Sequence, residues 1–189
     1  MNTQRPERAA ALDYLRRKGT EAPVSKLISG LRSTFQKFEH TVDRVPDAWH
    51  ARRPSAAAWS VHEIVDHLVE SDRPAVAELR ALCAGVSPVG GPIPARLTSP
   101  DALGRPWDDL VHELKGLHEH ILDIVIGAGD AASLAARAPS VIVIKVRGVE
   151  GQEVLEWVEA LDWKAYAQAL RIHTHEHCAQ VERTVAALG

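Results

Sequence analysis

The sequence predicts an all-α fold, a four-helix bundle preceded by a short helix. Four long segments carry apolar residues at every third or fourth position, and a Pro/Gly-rich connection separates the second segment from the third. Each segment is apolar on one face only, so the helices must bury these faces against one another. Because 189 residues fit one domain of ordinary size, we expect residues 1–189 to form a single domain, with residues 1–20 as an N-terminal extension.

The N-terminal half of the chain predicts the leading helix and the first long helix. Pro6 suits a first helical turn and Gly19 suits a helix end, which brackets the short helix. The first long helix begins at Val24 and ends before Pro46. Its apolar face comprises Leu27, Leu31, Phe35, Phe38, Val42 and Val45.

The second long helix has a defined start. Ser60 and Glu63 have the spacing of a capping box, in which each side chain satisfies a free backbone N–H, so the helix begins near Val61. It runs to Gly85, with Pro74 as an internal break or kink.

A long connection follows, from residue 86 to residue 106. It holds five prolines and three glycines and has neither helical nor strand periodicity. Roughly twenty residues at ~3.3 Å each can span the length of a helix. The second and third helices can therefore run parallel through a crossover instead of forming a hairpin.

The C-terminal half predicts two more helices and a small hairpin. The third helix runs from Trp107 to the glycines at 127 and 129, and the last from about Trp163 to Leu188. Between them, the β-branched run 141–146 favours a strand, the first arm of a hairpin near residues 141–155 that turns at Gly148 or Gly151. Residues 154–160 are also compatible with helix.

Composition narrows the function classes. A content of 46% apolar and 25% charged residues is typical of a soluble globular protein, and the net charge of -3 predicts neither nucleic acid nor an anionic membrane as partner. The segment from Met1 to Arg8 lacks the apolar stretch of a secretory signal, so we expect a cytoplasmic protein. The two cysteines, Cys83 and Cys178, do not make a disulfide framework and should be reduced core residues.

Histidine is over-represented, with ten residues against two Tyr and two Phe. His173, His175 and His177 occupy alternate positions, which would share one face of a strand. The alanine-rich flanks favour a helix instead. On a helix, His173 and His177 face the interior one turn apart, and His175 points the opposite way.

Two histidines one helical turn apart can chelate a metal, and a third ligand must come from another helix. His67 is the best candidate, because it borders the apolar face of the second helix and has Glu63 and Glu70 on adjoining turns. Spacing alone leaves a hydrogen-bonded interior histidine equally open. Six further histidines without a partner pattern are expected at the surface or its edge: His40, His50, His62, His112, His118 and His120.

These residues resemble the DinB/YfiT-like superfamily of metal-binding four-helix bundles. The resemblance covers residues 25–188 and is carried by motifs whose order and separation match the family. The motifs are Pro46-Asp-Ala-Trp49, Arg53-Pro54-Ser55, Trp59-Ser60-Val-His-Glu63-Ile-Val-Asp-His67-Leu68 and His173-x-x-x-His177-x-x-Gln180. The resemblance implies up-down-down-up topology, metal ligands at His67, His173 and His177, and a packing or supporting role for Gln180.

Three neutral histidines leave a coordination position open for a water or a thiol. Relatives in the family include S-transferases that use low-molecular-weight thiols and putative metal-dependent hydrolases. The resemblance therefore implies S-transfer or hydrolysis on a small molecule, with zinc the first choice of metal and nickel or iron as alternatives, a thiol as co-substrate, and a homodimer. Glu63 or Glu70 could act as a base or support a ligand.

The alternative function is a non-catalytic stress-response bundle that binds metal or a ligand. A third interpretation is that no metal binds and the histidines merely pack in the core.

Overall fold

The computed structural model describes residues 5–148 and 151–189. In these ranges the chain forms five α-helices and one antiparallel β-hairpin. The helices are α1 Pro6–Leu15, α2 Val24–Val42, α3 Val61–Cys83, α4 Trp107–Ala128 and α5 Trp163–Ala186, and the strands are β1 Ala138–Gly148 and β2 Gly151–Leu161. The helical bundle predicted from the sequence is thus present, with each long helix near its predicted position.

The four long helices form the bundle. Helices α2 and α3 each pack against both α4 and α5. The predicted apolar face of α2 is buried, with Leu31 and Phe38 fully excluded from solvent. Trp163, at the start of α5, is the largest fully buried side chain. The apolar periodicity of the sequence therefore corresponds to one shared core.

The N-terminal helix is held against the bundle by a close backbone approach. A π-helical turn, Arg16–Thr20, continues from α1 and packs on the start of α5. A Cβ atom at Gly19 would lie 2.7 Å from the Cα of Ala165, so only glycine fits this contact.

The N-termini of α3 and α5 are capped by side chains. In α3, Ser60 and Glu63 form the capping box that the sequence predicts. In α5, the carboxylate of Asp162 accepts the backbone N–H groups of Lys164 and Ala165, each at 3.0 Å. Helix α3 continues through Pro74, so this proline does not end the helix.

The hairpin is longer than the sequence analysis predicts. Its strands pair from Ala138↔Leu161 to Gly148↔Gly151, so residues 154–160, for which helix was an alternative, are strand. Cross-strand pairs such as Ser140↔Glu159 extend the ladder beyond the β-branched run. The sequence predicts the turn at Gly148 or Gly151, and residues 149 and 150 between the two strands lie outside the described residues.

Three histidines expected at the surface are buried, which corrects that expectation: His50, His62 and His118. His118 lies in the core, where its ring stacks on Phe35 at a centroid distance of 4.0 Å. Its Nδ1 is 2.7 Å from a carboxylate oxygen of Glu39 on α2. The rings of His50 and His62 lie beside that of Trp107 on α4, at centroid distances of 3.8 and 5.6 Å. Such contacts between separate segments leave no pattern in the spacing of the sequence.

The connection between α3 and α4 is irregular and is fixed to α3. Ser99 donates from its backbone N–H and its hydroxyl to the buried carboxylate of Asp66, at 2.9 and 2.7 Å. None of the helices in the described ranges has the length and apolar character that crossing a membrane requires.

Candidate metal centre

Three histidines from two helices meet at one point. His67 lies in the second turn of α3, and His173 and His177 lie one turn apart on α5. The Nε2 atom of His173 is 3.0 Å from that of His67 and 3.1 Å from that of His177. Among the described residues, these three histidines form a group of possible metal ligands whose ligand atoms all lie within 4.8 Å of one another.

Outer hydrogen bonds fix the tautomers of two of these rings. The Nδ1 atom of His67 is 2.7 Å from the backbone oxygen of Leu97, and the Nδ1 atom of His177 is 2.9 Å from Oε1 of Gln180. Both oxygens can only accept, so each Nδ1 carries the proton. Each Nε2 therefore presents a lone pair to the centre of the cluster.

The donor set fits a metal ion. Nε2 of His67 and Nε2 of His177 each carry a lone pair, whereas Nε2 of His173 has at most one proton to donate. That proton could satisfy only one of the two lone pairs. One cation between the rings satisfies all three nitrogens. Nitrogens bound to one tetrahedral zinc lie about 3.3 Å apart, close to the separations seen here. Imidazoles held by outer acceptors are also the usual ligands of zinc sites.

The electrostatics keep the rings neutral. Burial lowers the pKa of all three histidines, and that of His177 falls to about 3, with the charge of Lys145 contributing. For His173 the neighbouring rings add to the effect of burial and hold the pKa well below its ordinary value. Neutral imidazoles need no deprotonation before they bind a metal, so the site is ready at neutral pH.

Trp59 forms one wall of the cluster. Its ring lies 5.2 Å from the ring of His67 and stacks on that of His177 at 6.4 Å, centroid to centroid. The tryptophan precedes the N-cap of α3, so the same segment that starts the helix also covers two of the histidines. It limits the directions from which solvent reaches the cluster.

The structure does not bring the two predicted carboxylates into the cluster. Glu63 completes the capping box and accepts the guanidinium of Arg53. Glu70 pairs with Arg73 at 2.8 Å. Each carboxylate is thus paired with an arginine, and a role for either as a base or as support for a ligand stays a prediction.

Helical phase explains which histidines converge. His175 is exposed on α5, as expected for a residue half a turn away from its neighbours. Two parts of the site were missed by sequence reasoning, the carbonyl of Leu97 and the tie between Asp66 and Ser99. A backbone acceptor leaves no mark in a sequence, whereas an aspartate next to His67 on the buried side of α3 was a usable signal.

One surface pocket, of 390 Å³, is lined by residues of α2, α4 and the segment between α2 and α3. Another, of 310 Å³, includes Gln180, which is hydrogen-bonded to His177. None of the three clustered histidines lines either pocket.

The comparisons with known proteins agree with this geometry. A solved structure of YfiT from Bacillus subtilis, described as a probable metal-dependent hydrolase with an unusual four-helix bundle topology, matches with a TM-score of 0.62 and 16% identity, covering 88% of this chain and 87% of that one. At this identity the match shows the fold alone. No curated protein matches the chain. The family model of the DinB superfamily matches residues 31–181, which contain all three histidines. The chain therefore belongs to the DinB superfamily.

Proposed function

We propose that this chain is a metal-dependent enzyme of the DinB/YfiT type that carries out thiol S-transfer or hydrolysis on a small molecule. The observation that supports the proposal best is the convergence of three neutral imidazoles, two of them held by outer acceptors. The description of YfiT as a probable metal-dependent hydrolase points the same way.

His67, His173 and His177 would hold the metal, and zinc is the ion we propose first, since three histidines with an open position are typical of catalytic zinc. Nickel and iron also accept imidazole ligands. A divalent metal supplies Lewis-acid chemistry here, because it lowers the pKa of a coordinated water or thiol and polarises a substrate carbonyl. The protein orients the ligands, and Trp59 shields them.

We propose that the nucleophile comes from solution. Burial raises the pKa of Cys83 to about 11, so this cysteine is a thiol at neutral pH. Cys178, next to a ligand in sequence, is buried and lies 3.6 Å from the hydroxyl of Thr41 on α2. Neither cysteine belongs to the group of atoms that converge at the cluster, so we propose a low-molecular-weight thiol or a water as the nucleophile, and we favour the thiol.

An activity screen tests the proposal. Purified protein loaded with zinc is given a small thiol and an electrophilic acceptor, and thiol consumption is followed in parallel with hydrolysis of model esters and amides. We expect turnover in the wild type and in His175→Ala, and a loss of at least about 100-fold in His173→Ala. Equal rates in the two variants would contradict the proposal.

A second function, a bundle that binds metal or a ligand without turnover, is favoured by one observation. Glu63 and Glu70 are paired with Arg53 and Arg73, and neither carboxylate belongs to the group of atoms that converge at the cluster, so the geometry does not assign a general base to them. Stoichiometric metal binding without turnover of any thiol or hydrolytic substrate would support this function over the first.

A further inference from the structure

A pocket of 310 Å³ opens on the surface beside the histidine cluster. Strand β1 and helix α5 form two of its sides, and the segment before α3 forms the third. It is lined by Pro54, Ala58, Lys145, Gln180, Arg183 and Thr184. Gln180 belongs to both places, because its oxygen accepts the Nδ1–H of His177. A molecule in this pocket would therefore contact Gln180, the residue that holds the ring of His177.

Two cations face this pocket without a counter-charge. Neither Lys145 nor Arg183 forms an ion pair with any residue in ranges 5–148 and 151–189, whereas Arg53, the sequence neighbour of Pro54 in the pocket lining, is paired with Glu63. Acidic side chains outnumber basic ones in the chain, which has a net charge of -3, so a shortage of carboxylates does not explain the missing ion pairs. The six lining residues include no carboxylate.

The other polar groups of the pocket suit an anion as well. The oxygen of Gln180 is used by His177, which leaves the amide nitrogen, a donor, without a partner among the described residues. Thr184 adds a hydroxyl. A guanidinium, an ammonium, an amide N–H and a hydroxyl are the donors that bind the oxygens of carboxylates and phosphates.

We propose that Lys145 and Arg183 bind a carboxylate or phosphate group of the small molecule that reacts at the histidine cluster. This inference rests on the proposed function and adds the substrate class, a small anion. It also gives the hairpin a role, since β1 carries Lys145 to the pocket beside α5.

The test uses full-length, metal-free protein, so that an added anion cannot bind a metal. Inorganic phosphate and acetate are titrated separately while the amide signals are followed by NMR. We expect saturable shifts at Gln180 and Arg183 with at least one of the two anions, and the stronger binder identifies the group. The double variant Lys145→Gln/Arg183→Gln should bind about tenfold more weakly or worse. The matched control Lys26→Gln/Arg80→Gln removes two exposed cations far from the pocket and should bind like the wild type.

The conservative variant Lys145→Arg/Arg183→Lys should retain binding, which separates charge recognition from a structural effect. The inference is overturned if neither anion gives saturable shifts, or if the Gln double variant and its control bind equally. Metal stoichiometry of the Gln double variant is measured alongside and should be unchanged. If the wild type binds no metal, the proposed function is refuted, whereas the anion binding measured by NMR is unaffected. The two failures are therefore distinguishable.

Discussion

Hydrogen-bond acceptors around the histidine cluster determine which nitrogen carries the proton in two of the three rings. Gln180 and the carbonyl of Leu97 do this for His177 and His67, and His173 completes the cluster from the turn before His177. Supporting hydrogen bonds of this kind are commonly worth 10–100-fold in metal affinity, roughly. At the scale of single residues, the acceptors matter nearly as much as the ligands.

Replacing Gln180 tests this. Gln180→Leu removes the acceptor from Nδ1 of His177, and we expect zinc affinity to fall by roughly 10–100-fold. Gln180→Glu keeps an acceptor oxygen and should stay within a few-fold of the wild type. Competition with a chelator of known affinity gives both constants. Similar losses in the two variants would show that packing, and not the acceptor, is what Gln180 provides.

Asp72 makes the stability depend on pH. Burial in the core raises its pKa from 3.8 to about 6, and His118, whose Nε2 lies 3.8 Å from the carboxylate, opposes the shift. Between these two pH values the folded state holds a proton that the unfolded state releases, so stability falls as pH rises through the interval. The difference corresponds to about 3 kcal/mol.

Asp72→Asn removes this titration. We expect the variant to gain stability relative to the wild type as the pH is raised from 4 to 7, by up to about 3 kcal/mol in the difference between the two proteins. Urea unfolding at several pH values measures it. The exposed Asp123→Asn serves as control and should follow the wild type. A constant difference between Asp72→Asn and the wild type at every pH would contradict the assignment.

At the scale of elements, the connection between α3 and α4 is part of the site. It supplies the carbonyl of Leu97, and it is held in place two residues later by Ser99 on Asp66. Asp66 precedes His67 on α3, so the helix fixes both the ligand and the loop that orients it. The prolines and glycines of this connection predict an irregular segment but not where it attaches.

Ser99→Ala weakens this attachment by one hydrogen bond to a charged group. We expect tryptic cleavage after the exposed Arg96 to become on the order of tenfold faster, because the loop opens more often. Zinc affinity should fall modestly at the same time. Thr98→Ala, a neighbouring hydroxyl without a hydrogen bond in the described structure, is the control. No difference between the two variants would show that the attachment does not hold the loop.

The elements themselves could be predicted to different degrees. In α5, alanine-rich flanks and helical phase were enough to separate His173 and His177 from His175. The hairpin was predicted in kind but not in length, because its ladder is extended by cross-strand pairs that single-strand propensity does not reveal. His67 depended on the motif around the start of α3, since nothing in the periodicity of that helix points to α5.

At the scale of the whole molecule, the bundle follows from four apolar faces that have only one another to pack against. What the sequence could not predict are contacts between side chains far apart in the chain. The burial of His118 between Phe35 and Glu39 is one, and the pocket formed by Lys145 and Arg183 is another. The homodimer stays a prediction.

The histidine cluster joins α3 to α5, so a metal bound there would also hold the bundle together. Binding to the folded state alone stabilises a protein in proportion to the logarithm of ligand concentration. The melting temperature should therefore rise when zinc is added to metal-free protein.

Metal analysis of the protein purified without a histidine tag is the most direct test. We predict one divalent metal per chain in the wild type and in His175→Ala, and loss of that metal in each of His67→Ala, His173→Ala and His177→Ala. Absence of stoichiometric metal, with a melting temperature that zinc and nickel leave unchanged, would contradict the metal centre. Equal losses in His175→Ala and His177→Ala would contradict the helical placement of the ligands.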